Sequence, residues 1–179
     1  MRSKTAFIDR DGTIAPDANY CSRPEDFEVF PDAAEAVKLL NRAGFKTIVI
    51  TNQSGIARGY FTEDALARIH EKMVEELGKH GARIDAIYYC PHHPDDGCQC
   101  RKPGTLLFRQ AAEEHRIDFD GSFMVGDTQM DIDAGREMGC RTVLVTTGPR
   151  QGSEVTAPAD YTAGSLLEAA QWIVRNDNK

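Results

Sequence analysis

The chain has 179 residues, 41% of them hydrophobic, which suits one globular domain spanning residues 1–179 with a full-sized core. A formal net charge of -7, from 28 acidic against 21 basic residues, argues against a nucleic-acid-binding or anionic-membrane surface, since each needs a basic face. No apolar run reaches membrane-spanning length, and Met1-Arg2-Ser3-Lys4 leads into a short apolar stretch without a signal-peptide core, so a cytoplasmic protein is expected.

Short apolar runs recur at 6–8, 47–50, 86–89, 123–125 and 142–145. Each is too brief for a helix and lacks polar alternation, as expected of strands buried on both faces of a parallel sheet. Helical patterns fill the intervals. Asp32 with Glu35 predicts a capping box, followed by a stripe of Ala33, Ala36, Val37 and Leu40 and a stop at Gly44. Thr62 opens a second helix carrying Leu66, Ile69, Met73, Val74 and Leu77. Further helices are expected at 106–115, 129–138 and 165–174, the last with a Ser165-to-Glu168 cap. Segments 14–31, 90–105 and 147–161 read as loops of the same domain. Alternating strands and helices predict a doubly wound, Rossmann-like α/β sheet with right-handed crossovers.

Ligands of such sheets bind beyond the carboxyl ends of the strands, so the residues after each apolar run carry the functional information. Asp9-Arg10-Asp11-Gly12-Thr13 follows the first run, and two carboxylates two residues apart begin on one side of a strand. Thr51-Asn52-Gln53-Ser54-Gly55 follows the second, Arg101-Lys102-Pro103 closes the loop after the third, and Gly126-Asp127 with Asp131 follows the fourth. Each cluster alone is an ordinary turn or cap; the four in this order make a site. Mg²⁺ prefers hard oxygens and keeps some water, which makes Asp9 and Asp127 its natural ligands, helped by a backbone carbonyl near Asp11. Asp131, one helical turn on, is placed to hold a metal-bound water. Thr51 and Lys102 suit phosphoryl oxygens. Asp9 is then the nucleophile toward phosphorus, and Asp11 the group that protonates the leaving alcohol and later takes a proton from water. Neighbouring carboxylates are expected to help Asp11 carry that proton.

A second constellation is Cys90-Pro91-His92 followed by Cys98-Gln99-Cys100. Three thiols and an imidazole within eleven residues, without a secretory signal, predict a closed structural Zn²⁺ site, with His93 competing for the place of His92. Zinc there would support the phosphate site by fixing Arg101 and Lys102. Arg58 reads equally as a ligand for a substrate anion or as a solvated loop residue. Cys21 is expected to line the 14–31 loop, Cys140 to be a small buried residue, Trp172 to pack, and His70, His80 and His115 to lie on the surface.

These motifs in this order resemble the haloacid dehalogenase superfamily of Mg²⁺-dependent phosphohydrolases. Within it, Thr-Asn-Gln-Ser-Gly-Ile-Ala-Arg-Gly, Tyr-Tyr-Cys-Pro-His-His-Pro and Cys-x-Cys-Arg-Lys-Pro resemble the heptose bisphosphate phosphatases of the histidinol-phosphatase-like family, over roughly residues 5–147. The resemblance implies a capless, monomeric enzyme that removes the 7-phosphate of a heptose 1,7-bisphosphate for surface-glycan or lipopolysaccharide synthesis. It implies Asp9 as nucleophile, Asp11 as proton donor, Mg²⁺ at Asp9, Asp11 and Asp127, and phosphoryl stabilisation by Thr51 and Lys102. It further implies Zn²⁺ at Cys90, His92, Cys98 and Cys100. Substrate contacts would come from Asp17, Ala18, Asn19 and Tyr20, from Asn52, Gln53 and Ser54, and from Arg101. The short turn between the cysteine pairs and Thr128 after Asp127 depart from the heptose pattern and keep histidinol-phosphatase open. A phospho-acceptor signalling domain is the alternative from another class, and a zinc-dependent binding module a third.

Overall fold

The computed structural model describes residues 3–148, 156 and 158–177. Its six strands are β1 (Thr5–Ile8), β2 (Lys46–Asn52), β3 (Ala86–Cys90), β4 (Phe123–Gly126), β5 (Arg141–Val145) and β6 (Tyr161–Ala163). They form one sheet in the order β3-β2-β1-β4-β5-β6, with every pair parallel. The helices are α1 (Ala33–Arg42), α2 (Glu63–Lys79), α3 (Leu106–His115), α4 (Gln129–Glu137) and α5 (Leu166–Asn176).

Residues alternate between faces along each strand, so the apolar runs feed two cores. Ala6, Ile8, Val49, Val125 and Val143 meet one layer, which includes Val37 and Leu40 of α1, Ile69 and Met73 of α2, and Ala169 and Ile173 of α5. Phe7, Ile48, Ile50 and Met124 point the other way onto Leu107, Phe108 and Ala111 of α3 and Ala134 of α4. Being covered on both faces is what leaves the strand runs without polar alternation.

The strands and helices read from sequence are all present, with ends shifted by a residue or two, and β6 is an addition. Its three residues, only one of them fully buried, carry too short a signal to stand out. Thr62 caps α2 through the Ala65 N–H, and Ser165 caps α5 through that of Glu168. Asp32 departs from expectation: its backbone is already helical and its side chain makes no cap bond. Val74 is corrected to an exposed position, 42% accessible, outside the buried stripe of α2. The 14–31 and 90–105 segments each contain one short 3₁₀ turn, at Pro24–Asp26 and Pro94–Asp96. Of the 147–161 loop, residues 149–155 and 157 lie outside the described residues. No helix among the described residues is long and apolar enough to cross a membrane.

Strand order reverses direction between β1 and β4, which leaves a crevice at their carboxyl ends. Asp9 and Asp127 both emerge there.

Candidate active site

β1 delivers Asp9 with its N–H donating to the Val125 carbonyl at 2.9 Å, which locks it beside the end of β4. The chain then folds sharply, the Arg10 carbonyl accepting from the N–H groups of Thr13, Ile14 and Ala15. Gly12 has φ +78°, and a Cβ there would fall 2.2 Å from Asp127 Oδ2. Glycine is thus required both for the turn and for the approach of Asp127. Asp127 leaves β4 just before α4. Asp131, on the first turn of α4, accepts from the Thr128 N–H at 3.0 Å and hydroxyl at 2.7 Å.

Asp9, Asp127 and Asp131 each bring a carboxylate oxygen within 4.8 Å of the others. Lys102 Nζ lies 2.8 Å from Asp9 Oδ1, 2.7 Å from Asp131 Oδ1 and 2.6 Å from the Ile50 carbonyl. Three acids thus face one ammonium. Burial, then the Asp131, Asp127 and Asp11 charges, push the Asp9 carboxyl well above its usual range, with Lys102 pulling against them. Burial and Asp131 push Asp127 up to about 7. Burial works against the charge on Lys102, but Asp131 and Asp9 outweigh it and raise its pKa. Asp127 Oδ1 is buried without a hydrogen-bond partner. An excess of buried carboxylate beside an unpartnered acceptor fits a hard divalent cation such as Mg²⁺.

The Asp11 side chain lies outside that acid cluster. It is turned to Arg10, whose Nε and Nη2 donate at 2.9–3.0 Å, and to Gln53 Nε2 at 2.8 Å. Its nearest charged partner is a cation, where acidic neighbours were expected. The third carboxylate of the cluster is Asp131, one helical turn beyond Asp127. Gln53 Nε2 also donates to Thr51 Oγ1 at 2.8 Å, joining the hydroxyl to the Asp11 carboxylate.

These groups border a cavity of about 390 Å³ lined by Asp9, Asp11, Thr51, Arg101, Lys102, Asp127 and Asp131, and by Asn52, Gln53 and Ser54. Asp17, Asn19, Tyr20 and Cys21 form a further wall, with Asp17 Oδ1 accepting from the Asn19 N–H at 3.0 Å. Ala18 does not line the cavity. Arg58 does not line it either. It lies exposed, its guanidinium 5.9 Å from the centre of the Tyr20 ring, which in turn meets Tyr60 edge-on at 4.9 Å. Asn52 spends its amide on the backbone of Lys102, accepting from its N–H at 2.9 Å and donating to its carbonyl at 3.2 Å. That pair ties the end of β2 to the loop carrying Arg101, whose buried Nη1 has no partner.

In that loop, the sulfurs of Cys90, Cys98 and Cys100 lie 3.1–3.6 Å apart, and His92 Nδ1 is 3.1 Å from Cys100 Sγ and 3.6 Å from Cys90 Sγ. All five described cysteines are free thiols. Three sulfurs and one nitrogen converging, with no fifth donor in the group among the described residues, fit tetrahedral Zn²⁺, where thiolates sit about 3.8 Å apart. His93 points elsewhere: its Nδ1 accepts from the Asp95 N–H at 3.3 Å, and its own N–H donates to Asp96.

Arg10 and His70 were not legible as parts of the site. Arg10 is 1% exposed, and its Nη1 meets His70 Nε2 at 3.3 Å. His70 is corrected from a surface group to a buried one. A histidine one helical turn after Leu66 carries no sign of which buried side chain it will meet. Cys140 is buried and Trp172 stacks on Tyr161 at 4.9 Å, as expected.

A HAD-hydrolase-like family model matches residues 99–169. A crystal structure titled as the D,D-heptose 1,7-bisphosphate phosphatase of B. bronchiseptica with magnesium and phosphate superposes with a TM-score of 0.88, at 34% identity, covering 96% of this chain and 98% of that one. Together with the three-acid, one-lysine cluster at the strand-order reversal, this defines a haloacid-dehalogenase-like phosphatase. A D-glycero-beta-D-manno-heptose-1,7-bisphosphate 7-phosphatase from Haemophilus ducreyi is 38% identical over 97% of this chain and all of its own length. A probable enzyme of the same name from Thermoplasma volcanium is 48% identical over 69% of this chain and 85% of that protein. The chain belongs to the heptose bisphosphate phosphatase family.

Proposed function

We propose that the chain is a Mg²⁺-dependent phosphomonoesterase that removes the 7-phosphate of D-glycero-D-manno-heptose 1,7-bisphosphate. The observation that carries this is the Asp9–Lys102–Asp131–Asp127 cluster, opening on a cavity of about 390 Å³ in a chain that matches its Haemophilus ducreyi relative over all of that protein's length. Asp9, Asp127 and the backbone near Asp11 would hold Mg²⁺, with Asp131 behind Asp127. The ion would supply positive charge for the phosphoryl oxygens and screen the nucleophile from them.

With Asp9 Oδ1 engaged by Lys102, Oδ2 is the oxygen we assign to phosphorus. As it bonds, the P–O bond to the sugar breaks, and Asp11 gives its proton to the departing oxygen. Water then attacks the aspartyl phosphate, Asp11 takes its proton, and inorganic phosphate leaves with Asp9 restored. The Thr51 hydroxyl donates to the phosphoryl oxygens and the nearby Lys102 charge offsets theirs, while Arg101, Asn52, Gln53 and Ser54 border the substrate. Asp17, Asn19 and Tyr20 form the outer wall, and Arg58, over the Tyr20 ring, is the cation we assign to the second phosphate.

Zn²⁺ at Cys90, His92, Cys98 and Cys100 would be structural, since it has no open position. We read residues 1–179 as one domain acting as a cytoplasmic monomer. Phosphate release with Mg²⁺ should favour the heptose bisphosphate over histidinol phosphate, and the reverse preference would move the assignment to the second substrate. Asp9→Asn should lower kcat at least about 10³-fold with the fold intact.

A further inference from the structure

Arg10 is the largest fully buried side chain of the described residues, and its position is fixed on three sides. One edge of the guanidinium grips Asp11 through Nε and Nη2. One face lies over the Phe27 ring, 5.7 Å from its centre. The remaining nitrogen, Nη1, is met by His70 Nε2 at 3.3 Å, reaching in from the middle of α2. A guanidinium only donates, so His70 Nε2 accepts and its ring proton sits on Nδ1. The same neutral form follows from burial and the nearby Arg10 charge, which lower the His70 pKa to about 3. His70 does not line the cavity, so whatever it does there it does through Arg10.

We propose that His70 is a positioning residue, which anchors the far end of Arg10 so that the guanidinium fixes the Asp11 carboxyl in the cavity wall, where it can exchange a proton with substrate. This rests on the reading of Asp11 as the proton-transfer group. Arg10 carries a long flexible side chain with several rotatable bonds. Without an acceptor at Nη1 it would keep a buried N–H unpaired or rotate to satisfy it, and rotation carries the Asp11 carboxylate along. Gln53 holds the second carboxylate oxygen and limits the loss. The effect is therefore partial, and it falls on proton delivery rather than on binding.

Leaving-group dependence separates this from a general loosening of the fold. A sugar alkoxide needs the proton as its P–O bond breaks, whereas p-nitrophenolate leaves readily without one. His70→Leu should lower kcat/KM about tenfold on a sugar bisphosphate and less than about twofold on p-nitrophenyl phosphate. His70→Gln, whose amide oxygen accepts from Nη1, should restore the sugar bisphosphate rate to within about threefold of the wild type. If His70→Leu fails to fold, His70→Asn, too short to reach Nη1, takes its place. An equal loss on both substrates, no loss in a folded variant, or no rescue by glutamine would overturn the positioning role alone. A wild-type protein that releases phosphate from neither substrate would instead overturn the phosphatase reading beneath it.

Discussion

Lys102 stays charged at 2% exposure because the two carboxylates that flank it are themselves held, Asp131 by the Thr128 cap and Asp9 by β1. Removing the ammonium would leave those buried acids facing each other without a counter-charge. Lys102→Met should therefore destabilise the metal-free protein by about 3 kcal/mol, read from a urea midpoint, besides abolishing turnover; an unchanged midpoint would contradict the pairing. His70 makes the opposite case, a base kept neutral. Burial first, and Arg10 second, lower its pKa to about 3, against 6.5 unfolded, with Tyr89 the other ring facing it. Between those values the unfolded chain binds the extra proton, so this residue costs stability as the pH falls below about 6.5 and nothing above it. Acidifying from pH 7 to 5 should cost roughly 1–2 kcal/mol more in the wild type than in His70→Gln, measured as the difference in unfolding free energy at the two pH values. The sequence showed Asp9, Thr51, Lys102 and Asp127 because each follows a recognisable strand. It hid the partner of Asp11, since the direction a side chain turns depends on what the neighbouring elements bring against it.

At the scale of elements, the loop from Cys90 to Gly104 combines core burial of Cys90 and Cys100 with the convergence of its sulfurs and one imidazole. Its ligand spacing was readable in the sequence, and so was its ending on two cations. The choice of His92 over His93 was not, because it depends on the 3₁₀ turn at Pro94–Asp96, which takes the second imidazole as its cap. Carefully prepared protein should carry about one equivalent of zinc, and Cys98→Ser should lose it. The same variant should raise KM and lower kcat together, because Arg101 and Lys102 lose their anchor on one side while Asn52 retains the other. Full activity in a zinc-free sample would detach the loop from the site. α4 works more locally: its capping residue Asp131 also faces Lys102, so the start of that helix and the charge pattern of the cavity cannot be varied separately.

Across the whole molecule, the all-parallel order β3-β2-β1-β4-β5-β6 brings residues 9, 51, 102 and 127 to one edge although they lie far apart in the chain. Helices on both faces supply the rigidity, and α1 packs against α5 away from the cavity. Leu40→Ala should consequently cost about 2–4 kcal/mol in a denaturant melt while leaving kcat near the wild-type value; a matching loss of kcat would mean the core and the site are coupled. Strand positions, helix starts at Thr62 and Ser165, and the four polar clusters were written in local sequence, because burial on two faces and N-capping leave marks within a few residues. The three-residue β6, the burial of His70 and Arg10, and the hold of Arg10 and Gln53 on the Asp11 carboxylate were not. Those features arise from contacts between segments distant in the chain, whose energies exist only once the sheet has assembled around them.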